Sequence, residues 1–149
     1  MDCAPTYISV VKKRLNAHIP TRASLGSAGW DLYACIKEEI VLNSGCQKLI
    51  PSGVALSIPI GYTGLIFARS GLSVKRSISL SNCVGVIDSD YRGEIFVSLK
   101  NNGEKDFTVK SNDRIAQIVI TTFCSFPMKE VLSLDNTKRS EGAFGSTGR

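Results

Sequence analysis

The chain has 149 residues, 43% of them apolar and 21% charged, with a formal charge of +5. That length suits one domain with its own hydrophobic core, and no run of about 18 apolar residues exists to cross a membrane as a helix. The basic excess is modest and scattered, apart from Lys12, Lys13 and Arg14, and no aromatic residues interleave with it, so no specific nucleic-acid surface is expected.

The start, MDCAPTYISVVKKRL, lacks a basic region followed by an apolar core of leader length, so no secretory leader is expected. Residues 7 to 11, YISVV, read as a first strand. After Pro20 comes a polar, small-residue stretch, TRASLGSAG, and then WDLYA at 30 to 34. Period two puts Trp30, Leu32 and Ala34 on one side and Asp31 and Tyr33 on the other. VALSIPI (54 to 60) alternates in the same way, with Val54, Leu56 and Ile58 on one face, and Pro59 marks an edge or an end. TGLIFA (63 to 68) is a further strand. EIFVSLK (94 to 100) turns Ile95, Val97 and Leu99 inward. RIAQIVITTF (114 to 123) is long enough for a helix, but its Ile and Val content and the flanking NNG and SND turns favour a strand. With 13 glycines spaced as corners and no convincing amphipathic helix, the expected fold is an all-β sandwich or barrel in one domain.

The last residues differ in kind. KRSEGAFGSTGR, 138 to 149, carries glycines at 142, 145 and 148, and Phe144 is its only large apolar group. Such a segment cannot form a core element. It is either a loose end or an arm that orders over a ligand. Glycine-rich backbone with Ser and Thr hydroxyls can present donors to phosphate oxygens, and Arg139 adds a fork that pairs with phosphate. The expected division is a β domain over 1–137 and a flexible arm over 138–149.

Several chemistries lack their parts. Five cysteines stand at 3, 35, 46, 83 and 124, with no CxxC, and His18 is the only histidine. A Cys/His zinc site has no ligand set, and free thiols suit a reducing compartment, hence an intracellular, cytoplasmic or nuclear protein. No Walker A loop, Rossmann glycine fingerprint or Gly-x-Ser-x-Gly elbow is present. What remains is GVIDSDYRGEIFVSLKNNG (85 to 103), which crowds Asp88, Asp90, Tyr91 and Arg92 into one turn. Acidic turns beside arginine–serine and glycine-rich segments fit a hydrolase in which a carboxylate positions water and a metal handles polyphosphate. Each aspartate alone is also an ordinary turn residue.

Five segments taken in order resemble the trimeric dUTP diphosphatase (dUTPase) family over nearly the whole chain. They are AGWDLYA (28 to 34), ARSGLS (68 to 73), NCVGVIDSDYRG (82 to 93), NDRIAQIV (112 to 119) and RSEGAFGSTG (139 to 148). The resemblance implies a β jelly roll that assembles as a homotrimer with shared active sites, each closed by the glycine-rich arm. It implies hydrolysis of dUTP to dUMP and pyrophosphate, which lowers dUTP and supplies dUMP for thymidylate synthesis, with Mg2+ as cofactor. Asp88 becomes the catalytic carboxylate that guides water onto the α-phosphorus. Tyr91 becomes the platform against the deoxyribose, where a 2′-hydroxyl meets an aromatic face. Asn82, Gly85 and Val86 fall in the hairpin that reads uracil. Cytosine would present a donor in place of an acceptor there, and an unpaired buried polar group costs about 1–3 kcal/mol.

By the same resemblance Arg69, Ser70 and Gly71 hold phosphoryl oxygens, and Gln117 donates to phosphate or to metal-bound water. Asp31 and Gln117 touch the metal only through water, because Mg2+ keeps several waters and is held largely by substrate phosphates. Arg139, Ser146 and Thr147 hold the distal phosphates, and Phe144 with Gly145 covers the uracil. Asp90 and Arg92 shape the turn or subunit contacts. The chain departs from the family pattern at Ala68, Asn112, Ser140 and Ala143, where proline or glycine is usual, and at Trp30 in place of tyrosine. None of these removes a chemical group. The related dCTP deaminases need a glutamate for work at C4 of cytosine, and following the pocket motifs here gives the aspartate-bearing GVID and no evident glutamate for that job. A binding module descended from the enzyme would keep the fold and use its loops on another protein.

Overall fold

The computed structural model describes residues 7–143. Its elements in chain order are β1 (Ser9–Lys12), β2 (Gly29–Tyr33), β3 (Ile40–Leu42), β4 (Gln47–Pro51), β5 (Val54–Ser57) and β6 (Tyr62–Phe67). The single helix α1 (Ser70–Arg76) follows, and then β7 (Ile78–Leu80), β8 (Gly85–Ile87), β9 (Phe96–Asn101), β10 (Phe107–Val109) and β11 (Arg114–Thr122). The strands pair antiparallel as β2-β11-β6-β8, β4-β9-β7, β1-β5 and β10-β3. The fold is a β jelly roll.

Alternation explains the core. Leu32 and Ala34 point inward from the β2 region, Ile95, Val97 and Leu99 from the run into β9, and Ile118 from β11, all at most 1% exposed. Trp30 packs partly against this cluster, with the Arg22 guanidinium 4.1 Å above its ring. In β5 the expected face of Val54, Leu56 and Ile58 is buried, but Ala55 on the other face is buried too. β5 is covered on both sides rather than half-solvated. It ends at Ser57, two residues before Pro59.

The structure corrects the sequence reading in two places. SGLSVKR, in a chain where no convincing amphipathic helix was expected, forms the two-turn helix α1, seven residues long. So short a segment gives no readable period and is marginal in isolation. It is stabilised locally by Lys75 and Arg76 in the last turn. Ser77 ends it in the left-handed region at φ 56, with its N–H donating to the Ser73 carbonyl. Three short strands, β3, β4 and β10, also went unread, because three to five residues with broken alternation carry little pattern.

Two polar details hold the framework. Asn101 is fully buried, donates to the carbonyls of Leu42 and Lys105 at 2.8 Å each, and accepts from Gly103 N at 2.9 Å. It thus ties β3, β9 and the following turn together. Asn112 occupies the left-handed region at φ 67, as its tolerance for that conformation allows, and its N–H donates to the Ala34 carbonyl. The SND turn that launches β11 keeps its shape without glycine.

Candidate active site

β11 lies between β2 and β6, and its register decides what meets. Gln117 stands opposite Asp31 on β2 and opposite Phe67 on β6. Directly paired residues on neighbouring strands share a face of the sheet. Segments 86 residues apart in the chain are thereby brought side by side. β6 then ends at Phe67, and Ala68 and Arg69 lead into α1 above the same face.

The side chains there are tied to one another. Arg69 Nε donates to Asp31 Oδ1 at 2.8 Å, and Arg69 Nη1 reaches the Arg114 carbonyl at 3.4 Å. Arg114 Nη1 donates to Asp31 Oδ2 at 3.3 Å, so one carboxylate lies between two guanidiniums. Gln117 Nε2 donates to the Ala68 carbonyl at 3.1 Å. A cavity of about 470 Å³ opens here, lined by Gly29, Asp31, Arg69, Ser70, Gly71 and Gln117 among others. Its lining carries one guanidinium, Arg69, and one carboxylate, Asp31, and Arg114, beside the lining, holds the second oxygen of that carboxylate, so the local charge leans positive. Ser70 and Gly71 open α1, where the first-turn N–H groups lack intrahelical partners. Arg114 was not among the residues the motifs marked. Its signal was the arginine of NDRIAQ, at the start of a strand whose next polar residue is Gln117.

The second group lies across the sheet. β8 pairs with the outer side of β6, setting Gly85 opposite Ile66, and Gly85 is buried there. Asn82 is exposed in the connection from β7 to β8, next to Cys83 at φ 61. Asp88 follows β8 directly. Its carbonyl accepts Tyr91 N at 3.2 Å, closing the turn, and Arg92 Nη1 caps the Ser89 carbonyl at 2.6 Å. Arg92 therefore shapes the turn. Asp88, Val86 and Tyr91 line a separate cavity of about 220 Å³ with Ile87, Glu94, Ile95 and Phe96. Tyr91 is 42% exposed, its hydroxyl bonded to the Glu94 carbonyl at 2.9 Å.

Within one chain, then, Asp31, Arg69, Ser70, Gly71 and Gln117 share one cavity, while Val86, Asp88 and Tyr91 share another. Arg139 joins neither. It donates from Nε to the Gly142 carbonyl in a turn of its own, where Ser140 sits at φ 43. Phe144, Gly145, Ser146 and Thr147 lie outside the described residues.

Known proteins resemble this chain throughout its length. The dUTPase family model matches residues 15–148. The deoxyuridine 5′-triphosphate nucleotidohydrolase of Syntrophotalea carbinolica is 45% identical over 143 residues, which is 95% of this chain and 97% of that protein. The dUTPase of Staphylococcus bacteriophage 80alpha, solved with dUPNHPP, superposes with a TM-score of 0.88 at 28% identity, covering 97% of this chain and all (100%) of that one. A mutant dUTPase of phage phi11 of S. aureus, solved with a structural Mg(II) ion, gives a TM-score of 0.77 at 27% identity, covering 85% and 97%.

Proposed function

The chain belongs to the dUTPase family, and from that premise we propose that it hydrolyses dUTP to dUMP and pyrophosphate by water attack on the α-phosphorus, guided by Asp88. As a dUTP diphosphatase it would lower dUTP and supply dUMP for thymidylate synthesis. The observation that carries the reading is the cavity uniting Asp31, Arg69, Ser70, Gly71 and Gln117. These are the positions expected at the phosphates, and they meet although they come from three separate segments.

A carboxylate in bulk water is a feeble base. Held against one water, Asp88 need only take its proton as the oxygen closes on phosphorus. The α–β bridging oxygen leaves with the pyrophosphate, and charge builds on the leaving phosphates. Arg69, Ser70 and the N–H groups that open α1 are fixed donors suited to that charge. Because Asp31 and Arg114 already hold Arg69 in place, little reorganisation is needed when the triphosphate arrives. Asn82, Gly85 and Val86 receive the uracil and Tyr91 the sugar.

Mg2+ prefers oxygen donors. The Asp31 carboxylate and the Gln117 amide, both lining the phosphate cavity, are hard oxygen groups that fit its water shell rather than direct ligation. When bound, the ion would neutralise triphosphate charge. Among the described residues no cluster of three His, Cys, Asp or Glu side chains could hold it alone.

The assembly is a homotrimer whose sites draw on several subunits, with residues 138–149 closing over the nucleotide and 1–137 forming the β domain. Two observations support this. The phosphate group and the Asp88–Tyr91 group lie in different cavities of one chain. Phe126, Met128, Leu132 and Leu134 are also exposed, beyond the last strand, a pattern that in a stable protein is covered by a partner. No helix among the described residues is long and apolar enough to cross a membrane.

The direct test is pyrophosphate release from dUTP with and without Mg2+, in the parent and in Asp88→Asn. Release from dUTP that collapses in D88N, with binding of a non-hydrolysable analogue retained, is expected. Near-normal turnover in D88N would remove Asp88 from the mechanism.

A further inference from the structure

The segment between the Asp88 turn and β9 contains a polar assembly that the reaction chemistry leaves unused. Glu94 Oε1 accepts from Arg14 Nε at 2.6 Å and from Gly53 N at 2.9 Å, while Oε2 accepts Arg14 Nη2 at 3.1 Å. The arrangement is a two-pronged fork plus a backbone bond on one carboxylate, which is only 14% exposed. The hydrogen bond to Glu94 also raises the Arg14 pKa above its already high ordinary value. Gly53, at φ 74, is closed in by Ala17 and Cys35, so the N–H it offers is itself immobile. On the other side of residue 94 the backbone is stitched down, Ile95 N to the Val54 carbonyl and Ser52 N to the Ile95 carbonyl.

All this rigidity has an output. The carbonyl of Glu94 accepts the Tyr91 hydroxyl at 2.9 Å. The ring meanwhile lies over Gly93 so closely that a Cβ there would come within 3.0 Å of ring atoms. An exposed tyrosine normally samples several rotamers. This one is held at its hydroxyl by the carbonyl of Glu94, and the bare backbone of Gly93 leaves room for the hydroxyl end of its ring.

We infer that the Arg14–Glu94 pair, with Gly93, forms a positioning device that sets the plane of Tyr91 and so determines how strictly a 2′-hydroxyl is refused. The inference rests on the reading of Tyr91 as the surface against the sugar. Refusal by contact depends on where the ring stands to within a fraction of an ångström. A ring free to tilt makes room for the extra oxygen of a ribonucleotide. Neither Arg14 nor Glu94 need touch the nucleotide for this; both act through Tyr91.

The experiment compares kcat/KM for dUTP and UTP in the full-length protein with Mg2+, for the parent, Glu94→Ala, Glu94→Gln, Tyr91→Phe, Gly93→Ala and Tyr91→Ala, with Tm measured on each. Y91F removes the hydroxyl's bond to the residue 94 carbonyl, and E94A keeps that carbonyl but frees it from its side-chain anchor; each should narrow the dUTP/UTP ratio, Y91F about three- to tenfold and E94A by no more. Their double variant should narrow it no further than Y91F, since the anchor acts only through that bond. G93A, which pushes the ring off its seat, should narrow it more. E94Q keeps one oxygen that can accept from both Arg14 Nε and Gly53 N, loses the prong to Nη2, and should restore part of the ratio. The gain should come as faster UTP turnover, which a purely structural role would not produce. If E94A folds poorly, Y91F and G93A carry the same test. Should Y91A collapse the ratio while E94A, Y91F and G93A leave it unchanged, the device is refuted and the sugar reading stands. Should Y91A itself leave the ratio unchanged, the sugar reading falls and the device with it. A loss equal for both substrates in E94A and Y91F also overturns the inference.

Discussion

Replacing Asp31 by Asn probes the phosphate cavity with the least change in shape. Asp31 is 12% exposed in its side chain and is bonded to Arg69 at 2.8 Å and to Arg114 at 3.3 Å. Asn keeps an acceptor for Arg69 but loses the charge. A charge-assisted bond contributes about 1.5–3 kcal/mol and a neutral one about 0.5–1.5, so the Arg69 contact loses roughly 1 kcal/mol. The Arg114 side chain is half exposed and its bond is long, so its share is about 0.5 kcal/mol. The sum is about 1–2 kcal/mol, a fall in Tm of roughly 3–6 °C for a domain of this size. Function should move in two directions. With Arg69 at the cavity and Arg114 beside it both uncompensated, a non-hydrolysable dUTP analogue should bind more tightly without Mg2+, by roughly three- to tenfold at low salt and less at high salt. Turnover should require more Mg2+, because a member of the ion's water shell has lost its charge. Calorimetric titration of the analogue with and without Mg2+, beside a thermal melt and a Mg2+ dependence of turnover, reads all three. A Tm within about 1 °C of the parent would refute the ion-pair arithmetic. An unchanged Mg2+ requirement would refute the metal role.

Three further outcomes are expected. Asn101→Ala removes three hydrogen bonds inside the barrel and should destabilise the protein by about 3 kcal/mol in urea unfolding while leaving the KM for dUTP of the folded fraction unchanged. Ser140→Gly relieves a serine held at φ 43, a conformation that is unfavourable by about 1 kcal/mol for residues other than glycine. If arm closure uses that conformation, analogue affinity should rise up to about fivefold, and an unchanged affinity would count against it. Mixed trimers of Asp88→Asn chains with chains lacking residues 138–149 should regain activity after subunit exchange; verified mixing without recovery, or a monomeric mass, would count against shared sites.

The strands with clean alternation were legible because one face of each is buried. Ile95, Val97 and Leu99 are inward for that reason, and β11 was read correctly because nine residues rich in Ile and Val settled an ambiguous length. α1 was not legible. None of its side chains is fully buried; Leu72 packs partly against the core, the Ser77 cap closes its C-terminus, and its N-cap Arg69 makes no side-chain cap bond. The motifs marked Asp31, Arg69, Ser70, Gly71 and Gln117, which share one cavity of the candidate site, since each motif keeps its chemical groups together in the chain. What could not be read was register. That Gln117 faces Asp31, and that Arg114 joins Arg69 on the same carboxylate, follows from how β11 is set against β2, with a bulge between Arg114 and Ala116. One residue of slip would turn Gln117 to the opposite face. Glu94 was invisible for a similar reason, because its partner Arg14 lies 80 residues away in a basic run that reads as surface charge.

The two halves of the candidate site differ in how they are held, and that difference bears on the assembly. The phosphate half is fixed within one chain by arginine–carboxylate bonds, so a single subunit can present it ready-made. The nucleoside half lies along β8, an edge strand of the four-stranded sheet. Val84, Val86, Tyr91 and Phe96 are all exposed around that edge. An edge strand with apolar side chains and open backbone groups invites unwanted pairing, and proteins normally protect it with charge, a bulge or a cover. Here the nearby charges are Asp88, proposed above to act at the nucleotide, exposed Asp90, Glu94, which is tied to Arg14, and Arg92, which is spent on its own turn. Cover would complete the protection, and two covers of the right chemistry are available. A pyrimidine ring gives an apolar face and an edge of donors and acceptors that suit the open groups of a strand. In the proposed assembly a neighbouring subunit's phosphate half would bring an arginine up to Asp88. Both would be satisfied together by a site shared between chains. On the proposed shared site, that edge would be the surface on which substrate and neighbour meet, and filling it with a charge, as in Val86→Lys, should weaken analogue binding and trimer stability at once. Loss of only one of the two would assign the edge to that role alone.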